Sequence, residues 1–254
     1  PDIMLDGICD DGSGFCTLRA AIQEANANPG HDIIQFNIPG SGVHTITTTM
    51  PMDALFDNAG VTIDGLSQAG AGKGNNPPRT TTLMIELTPA APMPAYPGLH
   101  ILSDSNLIQG LIINNFGRDG IRIEATADTT AHNRIYANFI GTDAGGTVGV
   151  GNGAAQLGLD GGVSIVTQAP ACPEGHVSAY NLVDHNLISA NYAQGVNISR
   201  CPPGDVFGNT VEFNFIGTDI TGTAPLGNVH DGVYIGEGAH DNLVDHNTIC
   251  DNGY

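Results

Sequence analysis

Fifteen residues occur twice in this chain. Asn138 to Asn152 reads NFIGTDAGGTVGVGN, and Asn214 to Asn228 reads NFIGTDITGTAPLGN, with ten of the fifteen positions identical. A shorter phrase also recurs: NLVDHN spans Asn181 to Asn186 and again Asn242 to Asn247. Four Gly-led runs share one pattern, Gly120-Ile-Arg-Ile123, Gly162-Val-Ser-Ile165, Gly195-Val-Asn-Ile198 and Gly232-Val-Tyr-Ile235. Short apolar runs alternating with polar residues and bounded by Gly and Asn read as strands. Repetition of such units predicts a solenoid, in which each unit buries its apolar face only by stacking on the next.

Anchoring the units on Asn-x-[Ile/Val]-x-x-Asn places coil starts at Asn106, Asn133, Asn181, Asn209 and Asn242, at intervals of 27, 48, 28 and 33 residues. Coils of a parallel solenoid lie about 4.8 Å apart, so equivalent residues form columns. Asn133, Asn181, Asn209 and Asn242 fall in one column, and Asn138, Asn186, Asn214 and Asn247 in another. Amides stacked at a bend satisfy one another and the nearby backbone. Ile108, Ile135, Val183, Val211 and Val244 form a third column, expected to point inward.

Earlier in the chain, Leu18, Ala21, Ile22 and Ala25 lie at i, i+3, i+4 and i+7, the face of a helix over about 17–27. Thr17 is its expected N-cap, and Asn28-Pro29-Gly30 its stop. A solenoid's first coil has an open apolar end and unpaired edges, which such a helix can cover. The fold expected is one all-β domain over 1–254, a right-handed parallel β-helix with a short N-terminal capping α-helix. Residues 1–31 form the cap, 32–105 irregular first coils, and 106–254 regular coils with the last incomplete. Expected strands in the first coils are Ile33–Phe36, Thr45–Thr49, Val61–Ile63, Leu83–Leu87 and Leu99–Leu102.

The formal charge is -19, with only 7 Lys and Arg against 26 Asp and Glu. Such a chain repels nucleic acid and anionic lipid. No run approaches the roughly 18 to 20 apolar residues of a membrane span. The acidity, the few lysines and the wealth of Gly, Asn, Asp and Thr favour an extracellular or cell-surface location. The abrupt start at Pro1 reads as a processed or trimmed one. Cysteine usage agrees with an oxidising compartment. Cys9 and Cys16 bound a short loop that a disulfide could close, and Cys172 and Cys201 fall at the same corner of consecutive coils, where they can meet. Free buried thiols are the alternative for that second pair. Cys250 is left over.

Residues 10–26, DDGSGFCTLRAAIQEAN, resemble the "CSLREA" motif that opens bacterial surface proteins with right-handed parallel β-helices, a pectate-lyase-like solenoid. INNFGRDGI at Ile113–Ile121 and the twin IGTD units resemble the repeats that follow that motif. Thr17 stands where that motif has Ser, and Ala20 where it has Glu. Losing the Glu removes a capping-box partner and weakens the cap. The resemblance covers nearly the whole chain and implies an exported, modular surface protein. It implies no reaction.

Two sets of residues could carry chemistry. Asp143 and Asp219 are equivalent, two coils apart and so about 10 Å along the axis, too far to share one calcium. Each is read as a turn-builder accepting backbone N–H bonds. The position after the Ile/Val column holds Gln109, Tyr136, Asp184, Glu212 and Asp245, the last three acidic and spaced about 4.8 Å apart. His185 and His246 lie beside them. Carboxylates so close bind a cation, carry raised pKa values, or simply form a solvated face. The spacing also approaches the roughly 5–5.5 Å of a retaining glycosidase pair. Asp184, Glu212, Asp245, His185 and His246 are therefore the candidate catalytic residues, and the three acids the candidate Ca2+ ligands. No cofactor is required.

The repeated Asp-His is similar to the pectate lyase signature, but its place in a repeat favours a structural origin. Polygalacturonase signatures are missing; the nearest to Arg-Ile-Lys is Arg122-Ile123-Glu124. Arg200 is the basic residue close in sequence to the acidic coils. Tyr136, Tyr192 and Tyr234 could offer stacking surfaces to a neutral glycan. Two function classes follow: a structural or adhesive β-helix module, self-associating through its coil ends or part of a longer chain, or a carbohydrate-active enzyme or glycan-binding module on the acidic face.

Overall fold

The structure, a computed structural model, describes residues 9–10, 12–91, 95–126, 129–153, 160–167 and 175–253. Its strands wind into a parallel β-helix, and every strand pair in its four sheets is parallel. The first sheet stacks Asp32–Gln35, Val61–Asp64, Leu107–Gln109, Arg134–Tyr136, Leu182–Asp184, Thr210–Glu212 and Leu243–Asp245. The second stacks His44–Thr48, Ile85–Pro89, Leu111–Ile113, Phe139–Ile140, Leu187–Ile188, Phe215–Ile216 and Thr248–Ile249. A third sheet holds Leu99–Ile101, Ile121–Ala125, Val163–Thr167, Val196–Ser199 and Val233–Gly236. A short fourth sheet of Thr129–Ala131, Val177–Ala179 and Asp205–Phe207 turns the chain from the third back to the first. Residues 32–105 are more regular than their sequence suggests, since they supply the first two rungs of both long sheets.

The interior is built by columns of apolar residues, of which the third sheet supplies two, Leu99–Ile121–Val163–Val196 and Ile101–Ile123–Ile165–Ile198. Ile108, Ile135, Val183 and Val211 pair directly in the first sheet and are fully buried. Val244 continues the column but is 37% exposed, because no rung covers it. At the other end the helix Leu18–Ala27 lays Leu18, Ile22 and Ala25 on the same core beside Phe36. Burying each large side chain is worth roughly 1.5–3 kcal/mol, so this helix closes the first rung as expected. Thr17 caps it by accepting from the Ala20 N–H, and the Asn28 N–H bonds the Glu24 carbonyl as the helix stops.

Corners are set by asparagine. Asn106, Asn133, Asn181, Asn209 and Asn242 form one ladder, in which each backbone N–H and each Nδ2 donate to the Oδ1 of the next asparagine at 2.8–3.0 Å. Asn138, Asn186, Asn214 and Asn247 form a second with the same geometry. A third ladder, unseen in the sequence, joins Asn152, Asn191, Asn228 and Asn252. In the first two ladders the residue before the asparagine takes a left-handed backbone conformation, as at His132 (φ 58), Tyr180 (φ 55), His185 (φ 59) and Phe213 (φ 55). That conformation costs a side-chain-bearing residue about 1–2 kcal/mol. The paired amide bonds at every corner offset it.

The twin stretch makes two hairpins on the outside of the second sheet. Ile112, Phe139, Leu187 and Phe215 pair in register on its outer face, and Ala144 and Ile220 fold over them. Asp143 Oδ1 accepts the Thr147 and Val148 N–H groups at 2.9 Å, and Asp219 Oδ1 accepts from Thr221 and Ala224 at 3.1 Å. Both aspartates are turn-builders, as their sequence setting implies. The hairpins meet directly through the Ile220 N–H and the Gly146 carbonyl at 2.9 Å. Gly141, the glycine of the first IGTD, has φ +95, and a Cβ there would run into the Ser189 carbonyl and the Asn191 side chain. Gly141→Ala should therefore destabilise by about 2 kcal/mol or more, because neither the dihedral nor the contact can relax cheaply. Thermal unfolding checks this against Gly145→Ala, whose nearest neighbour is the Asp143 carboxylate at 3.1 Å and whose φ needs no glycine.

Cys9 and Cys16 are disulfide-bonded. Cys201 is disulfide-bonded as well, while Cys172, the partner its position implies, lies outside the described residues. Cys250 is free and exposed.

Candidate functional site

The acidic column exists in the register expected. Gln109, Tyr136, Asp184, Glu212 and Asp245 are direct neighbours along the outer side of the first sheet. The charges on it differ from their sequence reading. Arg134, one rung before Asp184, reaches across and grips it with two bonds, Nε to Oδ1 at 2.8 Å and Nη2 to Oδ2 at 2.6 Å. His185 Nδ1 adds a third contact to Oδ2 at 2.8 Å. Asp184 is thus buried and already paired, and its hydrogen bond raises the Arg134 pKa further. Arg134 is the cation that pairs with this column, while Arg200, close to it in sequence, sits at another corner as expected, bonded to the Glu237 carbonyl. Asp245 pairs only with its neighbour His246, Nδ1 to Oδ2 at 2.7 Å, with both side chains open to solvent. Among the described residues no group of three or more His, Cys, Asp or Glu is arranged to hold a metal ion. Asp184 does not offer a free carboxylate to a substrate, because Arg134 and His185 occupy it.

The left-handed corner residues beside the column carry rings. His185, Phe213 and His246 stack with centroids 5.1 Å apart, and Tyr136 meets His185 edge-on. On the far side of the sheet His132 stacks on Tyr180, and Phe207 on His240, with Tyr180 and Phe207 edge-on. Successive rungs force this spacing, so the stacked rings turn their faces to one another and their edges to solvent. A sugar needs an open ring face. Tyr136 has none to give, because it is buried beneath the guanidinium of Arg134 at 4.3 Å and the Lys73 amine at 5.1 Å. The ring stacks reinforce the corners, and each ring pair is worth about 0.5–1.5 kcal/mol beyond its burial.

A second concentration of charge was not visible in the sequence. It lies on the outer side of the third sheet, where His100 and Arg122 pair in register. Arg122 bonds Glu124 at 2.7 Å and Asp119 at 3.0 Å, and His100 Nε2 bonds Glu124 at 2.8 Å. Arg118 grips Asp160 through Nε at 3.1 Å and Nη2 at 3.0 Å. Asp119 is fully buried and also accepts from the Gly161 N–H and the Ser164 hydroxyl. Burial pushes Asp119 above its ordinary value, with Arg122 opposing and Asp160 reinforcing the rise. Burial works on Glu124 in the same sense, yet the bonds from His100 and Arg122 outweigh it and hold Glu124 at about 2. Arg122 is lowered by burial but raised more by Glu124 and Asp119, and the net direction is upward. Two carboxylates on one arginine are therefore driven in opposite directions. Tyr96 and Pro97 wall a cleft of about 410 Å³ beside His100, Arg118, Arg122 and Glu124.

Fold and surface together define a parallel β-helix protein with a helix at one end and two separate charged outer faces. Compared with family models, curated proteins and solved structures, the chain matches none.

Proposed function

We propose that this chain is a structural or adhesive β-helix module of an extracellular or cell-surface protein. The observation that carries the reading is the set of three asparagine ladders, which run through the corners, each Oδ1 after the first of its ladder accepting the backbone N–H and the Nδ2 of the asparagine one rung before. Buried amide networks of this kind specify one rigid shape. The rod then holds the twin hairpins at Asp143–Val148 and Asp219–Ala224 in contact on one side. The acidic column supports the same reading, since Arg134 and His185 satisfy Asp184 without any ligand. Disulfide bonding at Cys9, Cys16 and Cys201 supports an oxidising compartment. No helix among the described residues is long and apolar enough to cross a membrane.

The test is a panel of neutral and uronate polysaccharides, with and without calcium, assayed for new chain ends. No cleavage is expected. Cleavage that disappears in Glu212→Ala would overturn the structural reading in favour of an enzyme on the acidic face. Calcium is expected to leave the melting temperature unchanged. A calcium-induced rise that is lost in the Asp184/Glu212/Asp245 triple alanine variant would restore a cation site there.

A further inference from the structure

The cleft on the third sheet has features that a rod does not need. Buried ion pairs contribute little to stability compared with apolar packing, so a network of two arginines and three carboxylates calls for another account. Perturbed, mutually coupled groups at the floor of a cleft are a physical mark of a binding site. The volume, about 410 Å³, lies in the range of roughly 300–1,000 Å³ that holds small ligands.

Two polar atoms remain for a ligand. His100 gives its Nε2 to Glu124. Because Glu124 is ionised and can only accept, that nitrogen carries the proton. In the tautomer that carries its proton on Nε2, Nδ1 is an acceptor on the side of the ring away from Glu124. Arg118 spends Nε and Nη2 on Asp160, which leaves Nη1 as a donor on a half-exposed side chain. Both residues line the same cleft. An acceptor and a donor beside each other suit a hydroxyl group, which gives a proton to one and receives from the other. Pro51, Ala95, Tyr96 and Pro97 supply the apolar part of the lining, with the Tyr96 ring held from behind by Phe116 at a centroid distance of 6.1 Å, and such a surface suits the C–H face of a ring. The chain's charge of -19 disfavours an anion.

We propose that the cleft between Tyr96 and the outer face of the third sheet is a binding site for a neutral saccharide, with His100 and Arg118 as its hydrogen-bonding contacts and Tyr96 as its platform. Glu124 and Arg122 are positioning residues: the first fixes the His100 tautomer, and the second holds Glu124. The site is separate from the acidic column of the first sheet and does not depend on the role of the rod.

The experiment is NMR of the whole chain, following the His100 imidazole resonance, which is assigned by its loss in His100→Gln. The probes are neutral oligosaccharides of glucose, galactose, mannose and xylose, with galacturonate oligomers as the charged arm. At least one neutral probe should move the His100 resonance saturably. Affinity for it, measured by calorimetry, should fall about tenfold or more in Arg118→Met and in Tyr96→Ala. His100→Gln, which keeps an acceptor, should bind more tightly than His100→Ala. Far-UV circular dichroism checks that each variant is folded. The proposal fails if no neutral probe moves His100 at millimolar concentration, if only the uronates do, or if Arg118→Met and Tyr96→Ala bind as the parent does.

Discussion

Arg122→Met should cost about 3–5 kcal/mol of unfolding free energy at neutral pH, the largest loss expected of any single side chain outside the core. The arginine is mostly buried and bonds both Asp119 and Glu124, with Asp160 at 3.7 Å. Its removal leaves three buried carboxylates with one half-exposed arginine and one histidine. The loss should also depend on pH in a defined sense. Glu124 is held at about 2 against an ordinary value of 4.5, so it contributes stability above pH 4.5 that is lost as pH falls from there towards about 2. A shift of that size corresponds to roughly 3 kcal/mol. Asp119 has the opposite sign: its raised value favours the fold in acid, and that contribution is lost as pH rises through it. The gap between parent and variant should therefore be widest near neutral pH and narrow below pH 4.5 as Glu124 takes a proton. Urea titrations at a series of pH values measure this. A gap that is constant with pH would mean that Arg122 acts through packing alone.

Asn186→Ala should cost about 3 kcal/mol, although it removes no apolar contact of the core. The Asn186 Oδ1 accepts from the Asn138 N–H and Nδ2, and its own Nδ2 donates to Ile135, Asp184 and Asn214. Alanine leaves a buried N–H and several carbonyl oxygens short of partners, each orphaned group costing about 1–3 kcal/mol. Asn186→Asp should be no better, since it keeps the acceptor but loses the donor beside the Asn214 Oδ1. The control is Asn247→Ala, in the last rung of the same ladder, where water reaches the exposed groups and the cost should be about 1 kcal/mol. Denaturant midpoints for the two alanine variants separate the outcomes. Equal losses would mean that the ladder contributes locally at each corner and gains nothing from burial.

The rod was legible because its rules repeat. Asn133 and Asn181 announce a column, and the small apolar residue two places later fixes which side faces in. The helix was legible because Leu18, Ile22 and Ala25 obey a single period. The third ladder was not read from the sequence: Asn152 and Asn228 end the twin stretch, but Asn191 and Asn252 follow Ala190 and Asp251 outside any repeated phrase. The grip of Arg134 on Asp184 was missed because the two lie 50 residues apart in adjacent rungs. The cleft was missed for a related reason. Arg118 and Glu124 flank one of the Gly-led runs, but His100 and Asp160 come from other rungs and no repeat pattern marks any of the four, so nothing in their spacing points to one place. Repetition reveals the scaffold, and chemistry that occurs once escapes a search for periods.

The ladders also bear on how such a chain can change over generations. Along each ladder an asparagine bonds its counterpart in the next rung, whatever the path between them. The partners stand 27, 48, 28 and 33 residues apart in the first ladder, and 39, 37 and 24 apart in the third. Register is nevertheless kept in every rung. Length is therefore a nearly neutral variable at the corners and a forbidden one within the strands. Insertions that arise after a strand, as the twin hairpins do between Ile140 and Asn152 and between Ile216 and Asn228, can be kept and elaborated while the rod stays as it was. A lineage built on this plan can lengthen or exchange its outer loops freely, with heredity of shape carried by the ladder amides.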